Sequence, residues 1–208
     1  MHSFWVFLSA IGESRLLVPA AVMATLFLVA SERGTVFKWA CAFAIAALVV
    51  LISKLAFLGW GYGWEAIDFT GFSGHSMVSA AIYPVLGYAL GNVHSERSAR
   101  WGAAAGALLA ILIGISRLYL HAHSPSEVVL GLLVGGIASS VVLLKWPAHR
   151  SGLRVGAVAL GFLLSAVASY GVAPKARAHD LVVVMALKLS GSQQPYTREA
   201  LNWKPLSW

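Results

Sequence analysis

Long apolar stretches follow one another along most of this chain, and they constrain its fold more than any other feature of the sequence. Of the 208 residues, 59% are hydrophobic and only 11% are charged. Crossing a bilayer takes about 20 predominantly apolar residues in a helix, because no water is present to bond an exposed backbone. Stretches near that length are 16–30, 36–58, 75–91, 101–120, 127–146 and 153–173. The sequence therefore predicts an all-α integral membrane protein with about six transmembrane helices in a bundle.

The two ends of the chain differ from this apolar part. The opening SFWVFLSAIG is too short to span a bilayer and lacks the basic start of a signal peptide, so we expect it to lie in the interface. We predict a transmembrane domain over 1–178 and a polar C-terminal tail over 179–208. Within the tail, 181–190 has the pattern of a short amphipathic helix, and the tryptophans near the end are typical of a membrane surface.

Basic residues in the short connections predict the orientation, because Lys and Arg are retained on the cytoplasmic side. The connections 59–74 and 121–126 contain neither, whereas the opposite side is basic through Arg33, Lys38, Arg97, Arg100, Lys145, Arg150 and Arg154. We therefore expect 59–74 and 121–126 to face the periplasm or exterior, with the chain in the inner (plasma) membrane of a bacterium. The tail returns to that outer side although it is itself basic.

The net charge of +7 is explained mostly by this topology and by the tail. The chain has no basic helix or patch interleaved with aromatics, which argues against nucleic acid as a partner. The expected partners are the bilayer and a lipid phosphate, and the pattern fixes no oligomeric state.

Polar residues that are costly near a bilayer collect at the outer ends of the predicted spans, where their usual explanation is functional. Two cations, a hydroxyl group and the N–H groups of a helix start form a receptor for phosphate. Phosphoryl transfer also needs a nucleophile and an acid, and histidine can act as either. The residues that topology gathers on this side are Lys54, Ser73, His75, Arg117 and His123.

The joint SRLYLHAHSPSE, residues 116–127, resembles the third motif of the type-2 phosphatidic acid phosphatase superfamily. That motif reads SR, five residues, H, three residues, D. Ser116, Arg117 and His123 fall on this spacing, and Glu127 stands where the family has aspartate.

Two further stretches resemble the same family. FSGH at 72–75 is similar to the second motif, PSGH, and Lys54 is similar to the lysine that opens the first motif, K, six residues, RP. The likeness extends from about Lys54 to Glu127.

The resemblance implies a helical membrane phosphatase fold, shared with vanadium haloperoxidases, that hydrolyses a lipid phosphate through a phosphohistidine without metal or other cofactor. It makes His123 the nucleophile, His75 the general acid and Glu127 the group that orients His123. The residues that it assigns to the phosphate pocket are Lys54, Ser73, Gly74 and Arg117.

The sequence departs from the family pattern in three ways. Gly61 and Tyr62 stand where the family has Arg-Pro, so one phosphate-binding arginine is absent there. Phe72 replaces the proline before SGH, and Glu127 adds one methylene, which displaces its carboxylate by roughly one bond length. A pocket with one cation fewer favours a monoester over a diphosphate. A lipid phosphotransferase and a non-catalytic lipid-phosphate binding or transport protein are therefore alternatives.

Two nearby features have more than one interpretation. The connection GWGYGWEAIDFTG, 59–71, is either an interfacial aromatic belt or a lid whose Glu65 or Asp68 contacts a sugar or amine. His121, with His123 and Glu127, has the donors of a metal cluster, but the neighbouring arginine and lysine would repel a cation. We therefore expect His121 to be structural or interfacial, and we expect no metal.

Overall fold

The computed structural model describes residues 2–92, 94–144 and 178–203, and within these ranges the chain is helical apart from turns and one isolated β-bridge. A short 3₁₀ turn, Glu65–Ile67, lies in the connection after the second helix. The helices in these ranges are α1 His2–Ile11, α2 Ser14–Trp60, α3 Gly74–Gly91, α4 Glu96–Tyr119, α5 Pro125–Leu143 and α6 Ala178–Ser190. The predicted all-α class is confirmed, while the predicted span 153–173 lies outside the described residues.

Three helical segments in the described ranges are long and apolar enough to cross a membrane. They are Gly34–Trp60 within α2, together with α4 and α5. Helix α3 begins at Gly74, one residue before the predicted span 75–91, and most of its side chains are buried among the other helices. These spans indicate a membrane protein, and the full set of six crossings stays a prediction.

The first two predicted segments, 16–30 and 36–58, belong to one helical run in the structure. Helical backbone continues through the expected connection at 31–35, which contains no proline and only Gly34 as a weak helix breaker.

The helical run of α2 is not straight. Gly12 lies beside Ser79 of α3, and the indole Nε1 of Trp39 donates to the carbonyl of Ala81 at 3.1 Å. A straight helix would separate residues 14 and 39 by about 38 Å, whereas the two contacts on α3 are only two residues apart. Helix α2 therefore bends between them.

Small residues allow α3 to pack closely against α4 and α5. A Cβ atom added to Gly106 of α4 would overlap the backbone of Tyr83, and one added to Gly135 of α5 would overlap the backbone of Met77. Close approach of this kind brings backbones into van der Waals contact, which is how apolar helices associate in lipid. The start of α3 is thereby fixed between the end of α4 and the start of α5.

Helices α1 and α6 lie against the same end of the bundle. In α1, Trp5 stacks on Tyr119 at the end of α4 with ring centroids 5.2 Å apart, so the opening segment contacts the bundle directly. Helix α6 covers the predicted amphipathic segment 181–190, and its Ala186 and Ser190 lie beside Gly59 at the end of α2. The residues after α6 continue across the connection between α2 and α3.

Candidate active site

The sequence SPSE at the start of α5 forms a local structure that fixes Glu127. The hydroxyl of Ser124 accepts from the backbone N–H of Glu127 at 3.4 Å, and the carboxylate of Glu127 accepts from the backbone N–H of Ser124 at 3.3 Å. This is a capping box with Pro125 in the first turn. A capping box uses glutamate or glutamine at this position, so the local geometry explains why Glu127 is suited to a site where the family has aspartate.

The same carboxylate holds the imidazole of His123. Nδ1 of His123 lies 2.7 Å from Oε2 of Glu127, and the two side chains are 14% and 2% exposed. An acceptor at Nδ1 places the ring proton there and leaves Nε2 with its lone pair. The extra methylene of glutamate therefore does not break the contact expected between these two residues.

The second oxygen of Glu127 has partners from two other parts of the chain. Oε1 accepts from the backbone N–H of Thr70 at 2.9 Å and from its hydroxyl, and also from Nη2 of Arg198 at 2.9 Å. Arg198 in turn donates from Nε to Oδ1 of Asp68 at 2.6 Å. Glu127 is thus a buried carboxylate with fixed orientation, and the carboxylate of Asp68 pairs with the tail.

The start of α3 is tied to the start of α5 through the backbone. The N–H of Ser73 donates to the carbonyl of Glu127 at 3.0 Å, and the hydroxyl of Ser73 accepts from the N–H of Ser76 at 3.4 Å as the helix cap. Ser73 is fully buried. Its hydroxyl oxygen accepts in the cap and keeps its own proton as a donor, so this helix start can offer an anion that O–H group and the N–H groups of Gly74 and His75.

Two cations approach this position from other helices. Lys54, in the last two turns of α2, is partly buried, and Gly71, with φ of 145°, brings the connection into contact with it. Arg117, in the last turn of α4, donates to the hydroxyl of Ser9, while its Nε is buried without a hydrogen-bond partner in the described chain. An unpaired buried donor of this kind suits an anion.

Electrostatic interactions connect the residues selected from the sequence. His123 interacts with Lys54 and Arg117, and His75 interacts with Arg117, His123 and Lys54. Burial lowers the pKa of His123 below its usual value, although the bond to Glu127 opposes that shift. His123 is therefore neutral around pH 7, the state in which an imidazole is a nucleophile.

The structure thus places the two histidines, the two cations and Glu127 at one end of the bundle. Thr70, Arg198 and Ser9 also belong to this site, although no motif in the sequence pointed to them. Of the two acidic candidates in the connection, Asp68 contacts Arg198, whereas Glu65 is exposed in the 3₁₀ turn. His121 follows α4 with a positive φ of 49° and is exposed.

Part or all of the chain is similar in sequence to known proteins. The sequence model of the PAP2 superfamily matches residues 59–151. An uncharacterized 22.5 kDa protein in the cps region of Klebsiella pneumoniae is 35% identical over 206 residues, which cover 95% of this chain and 97% of that protein. Glucose-6-phosphatase 3 of Rattus norvegicus is 34% identical over 104 residues, 47% of this chain and 30% of that enzyme. Its counterpart in Homo sapiens is 28% identical over 97 residues, covering 44% and 28%. No solved structure matches the chain significantly.

Fold and site together define a class: a helical membrane protein whose polar end combines a buried Glu–His pair with two cations. The matched segment, residues 59–151, belongs to the PAP2 superfamily, the type-2 phosphatidic acid phosphatases that the motifs of this chain resemble. Membership of this superfamily indicates phosphatase activity.

Proposed function

We propose that this protein is an integral membrane phosphatase that hydrolyses the phosphate of a lipid at the outer face of a bacterial inner membrane. The observation that carries the proposal is the 2.7 Å bond between Nδ1 of His123 and the buried carboxylate of Glu127. This bond holds the ring and stabilises the positive charge that develops when its other nitrogen attacks phosphorus. The neutral state of His123 supports the same role.

The reaction has two steps. An anionic phosphate bound beside the buried His75 offsets the charge of the neighbouring cations and stabilises the protonated form of this imidazole. Nε2 of His123 attacks phosphorus, a P–N bond forms, the P–O bond to the lipid breaks, and His75 gives its proton to the departing oxygen. His75 then takes a proton from water, whose oxygen attacks phosphorus and breaks the P–N bond, releasing inorganic phosphate. Both imidazoles return to their starting states, so no metal or other cofactor is needed.

The cations and the start of α3 supply the phosphate pocket in this proposal. Lys54 and Arg117 offset the negative charge of the phosphoryl oxygens, and the backbone N–H groups of Gly74 and His75 bond to them. Ser73 caps α3, which fixes the direction of those N–H groups, and its hydroxyl proton is a further donor for the phosphate. The buried Nε of Arg117 is a donor available for a substrate oxygen.

A lipid substrate is favoured by the surroundings of the site. The connection after α2 carries Trp60, Tyr62 and Trp64, which are 46%, 73% and 63% exposed. Exposed aromatic rings at the end of apolar spans are typical of the membrane–water interface. A phosphate at this depth belongs to a headgroup rather than to the bilayer core. If 59–71 acts as a lid, a contact from Asp68 to a sugar or amine of the headgroup is disfavoured, because the carboxylate of Asp68 is paired with Arg198.

A sugar phosphate is the second candidate substrate, because part of the chain is similar to glucose-6-phosphatase 3. Both candidates are phosphate monoesters, as expected for a pocket without the arginine of the first motif. A lipid phosphate would reach the site from the bilayer, whereas a sugar phosphate would reach it from water.

The test is release of inorganic phosphate by protein purified in mixed micelles, with phosphatidate, a polyprenyl phosphate, a polyprenyl diphosphate and glucose 6-phosphate as substrates. We expect release from a lipid monoester, persistence of activity with a chelator, and loss of at least about 1,000-fold in His123→Ala. The matched control is His121→Asn, since asparagine tolerates the positive φ of this neighbouring position. Binding without release would indicate a non-catalytic protein, and transfer of labelled phosphate to an added lipid would indicate a phosphotransferase.

A further inference from the structure

Arg198 lies in the C-terminal tail, outside the residues 59–151 that match the superfamily, yet its guanidinium reaches the centre of the site. It donates to Glu127 through Nη2 at 2.9 Å and to Asp68 through Nε at 2.6 Å, with a further bond from Nη2 to the Asp68 carbonyl at 3.3 Å. Arg198 is the residue by which the tail contacts the Glu–His pair.

The tail segment that carries Arg198 is itself held in place. The N–H of Tyr196 donates to the carbonyl of Leu58 at 3.0 Å, and the ring of Trp203 packs on Phe57 with centroids 5.6 Å apart. Both contacts are made to the last turns of α2. Because the segment is anchored before and after Arg198, the guanidinium is delivered to a defined position rather than from a free chain end.

Burial of Glu127 makes this contact important. Its side chain is 2% exposed, and a buried carboxylate is costly unless charged or polar groups compensate it. Oε2 is used by His123 and by the cap of α5, so Oε1 is held by Thr70 and Arg198 alone among the described residues. The planar guanidinium can bridge two carboxylates, which a lysine ammonium cannot do with the same geometry.

We propose that Arg198 is a positioning residue: from the C-terminal tail it fixes the carboxylate of Glu127 and, through that carboxylate, the ring of His123. Asp68 orients the guanidinium from its other side. This inference rests on the function proposed above. Arg198 is assigned to positioning because its Nε and Nη2 are bonded to the carboxylates of Asp68 and Glu127.

The first test compares kcat and KM of Arg198→Ala, Arg198→Lys and a control, Lys188→Ala, which removes an exposed cation from α6. Loosening a contact that aligns a nucleophile costs roughly 10- to 100-fold in rate. We expect Arg198→Ala to lower kcat by that factor with KM changed less than about threefold. Arg198→Lys should recover part of the loss, and the control should match the wild type. Loss confined to KM would overturn the proposal.

A second measurement does not depend on activity. The ¹⁵N resonances of His123, assigned by their loss in His123→Asn, report which ring nitrogen carries the proton and how strongly it is bonded. We expect Arg198→Ala to shift them and Lys188→Ala to leave them in place. If the wild type releases no phosphate, the proposed function fails, while a shift confined to Arg198→Ala still supports positioning. Unchanged His123 resonances in a folded Arg198→Ala protein would overturn the positioning role of Arg198.

A double variant completes the design. If Asp68 acts through Arg198, Asp68→Asn alone should lower kcat relative to the wild type. Adding Asp68→Asn to the Arg198→Ala variant should then lower kcat by less than about twofold relative to that variant. If the loss of kcat in the double variant equalled the product of the two single losses, Asp68 would not act on Glu127 through Arg198.

Discussion

Nδ1 of His123 lies 2.7 Å from Oε2 of Glu127, and the same carboxylate closes the capping box at the start of α5. One side chain therefore stabilises a helix end and orients an imidazole. The rigidity of the first role supports the second, because a cap at the helix start restricts the rotamer of Glu127.

Glu127→Gln separates charge from length at this position. Glutamine can still serve in a capping box, so α5 should keep its start, but it cannot stabilise an imidazolium at His123. We expect kcat to fall by about 10²- to 10⁴-fold, as when the carboxylate behind a catalytic histidine is made neutral. Steady-state phosphate release measures this. A variant within threefold of the wild type would exclude the orienting role.

Thr70→Val removes the hydroxyl that donates to Oε1 of Glu127 while keeping the side-chain volume. Hydrogen bonds to charged groups contribute about 1.5–3 kcal/mol, so we expect a loss of that order in the free energy of unfolding. Thr70→Ser keeps the donor and serves as the control. Thermal unfolding in detergent distinguishes the two, and equal midpoints for both variants would show that the hydroxyl is unimportant.

Gly106→Ala tests the close approach of α3 and α4. The added methyl would overlap the backbone of Tyr83, so the helices must separate, which we expect to cost about 1–3 kcal/mol. Gly136→Ala on α5 is the matched control, because a Cβ there meets nothing within 4 Å and alanine favours the helix by up to about 1 kcal/mol. The melting temperature in detergent should therefore fall for the first variant and hold or rise for the second.

The pH dependence follows from the state of His123. The neutral imidazole is the nucleophile, and burial lowers the pKa of His123 below its usual value of about 6.5. Activity attributable to this group should persist as the pH falls past 6.5 and be lost only as the pH passes through the lowered pKa. Glu127 raises the pKa of His123, so Glu127→Gln should move the acid limb of kcat/KM to still lower pH. An acid limb above pH 6.5 in the wild type would contradict this assignment.

The sequence was informative about features encoded by neighbouring residues. Apolar stretches near the length of a span predicted α5 to within three residues and α4 to within five residues at each end, and the SGH sequence placed the start of α3. The motif residues were expected on one side because alternate spans return the chain to the same surface. The sequence was less informative about α2, because 31–35 contains no strong helix breaker and the helix continues through the connection that we expected there.

Side chains from outside the motifs could not be placed in this way. Arg198 is 71 residues from Glu127 along the chain and lies in a stretch without periodicity or motif. Ser9 is 108 residues from Arg117, in a segment that the sequence assigned to the interface. Which of several tail cations meets a buried carboxylate depends on how the tail packs on α2.

The sequence by itself determined the helical class, the positions of α4 and α5 and the residue types for phosphate chemistry, since hydrophobicity, capping and motif spacing are properties of adjacent positions. The tertiary structure alone decided that Glu127 is shared between a helix cap, an imidazole, Thr70 and an arginine of the tail. Those contacts join distant positions, and only the packing of helices brings distant positions within hydrogen-bond distance.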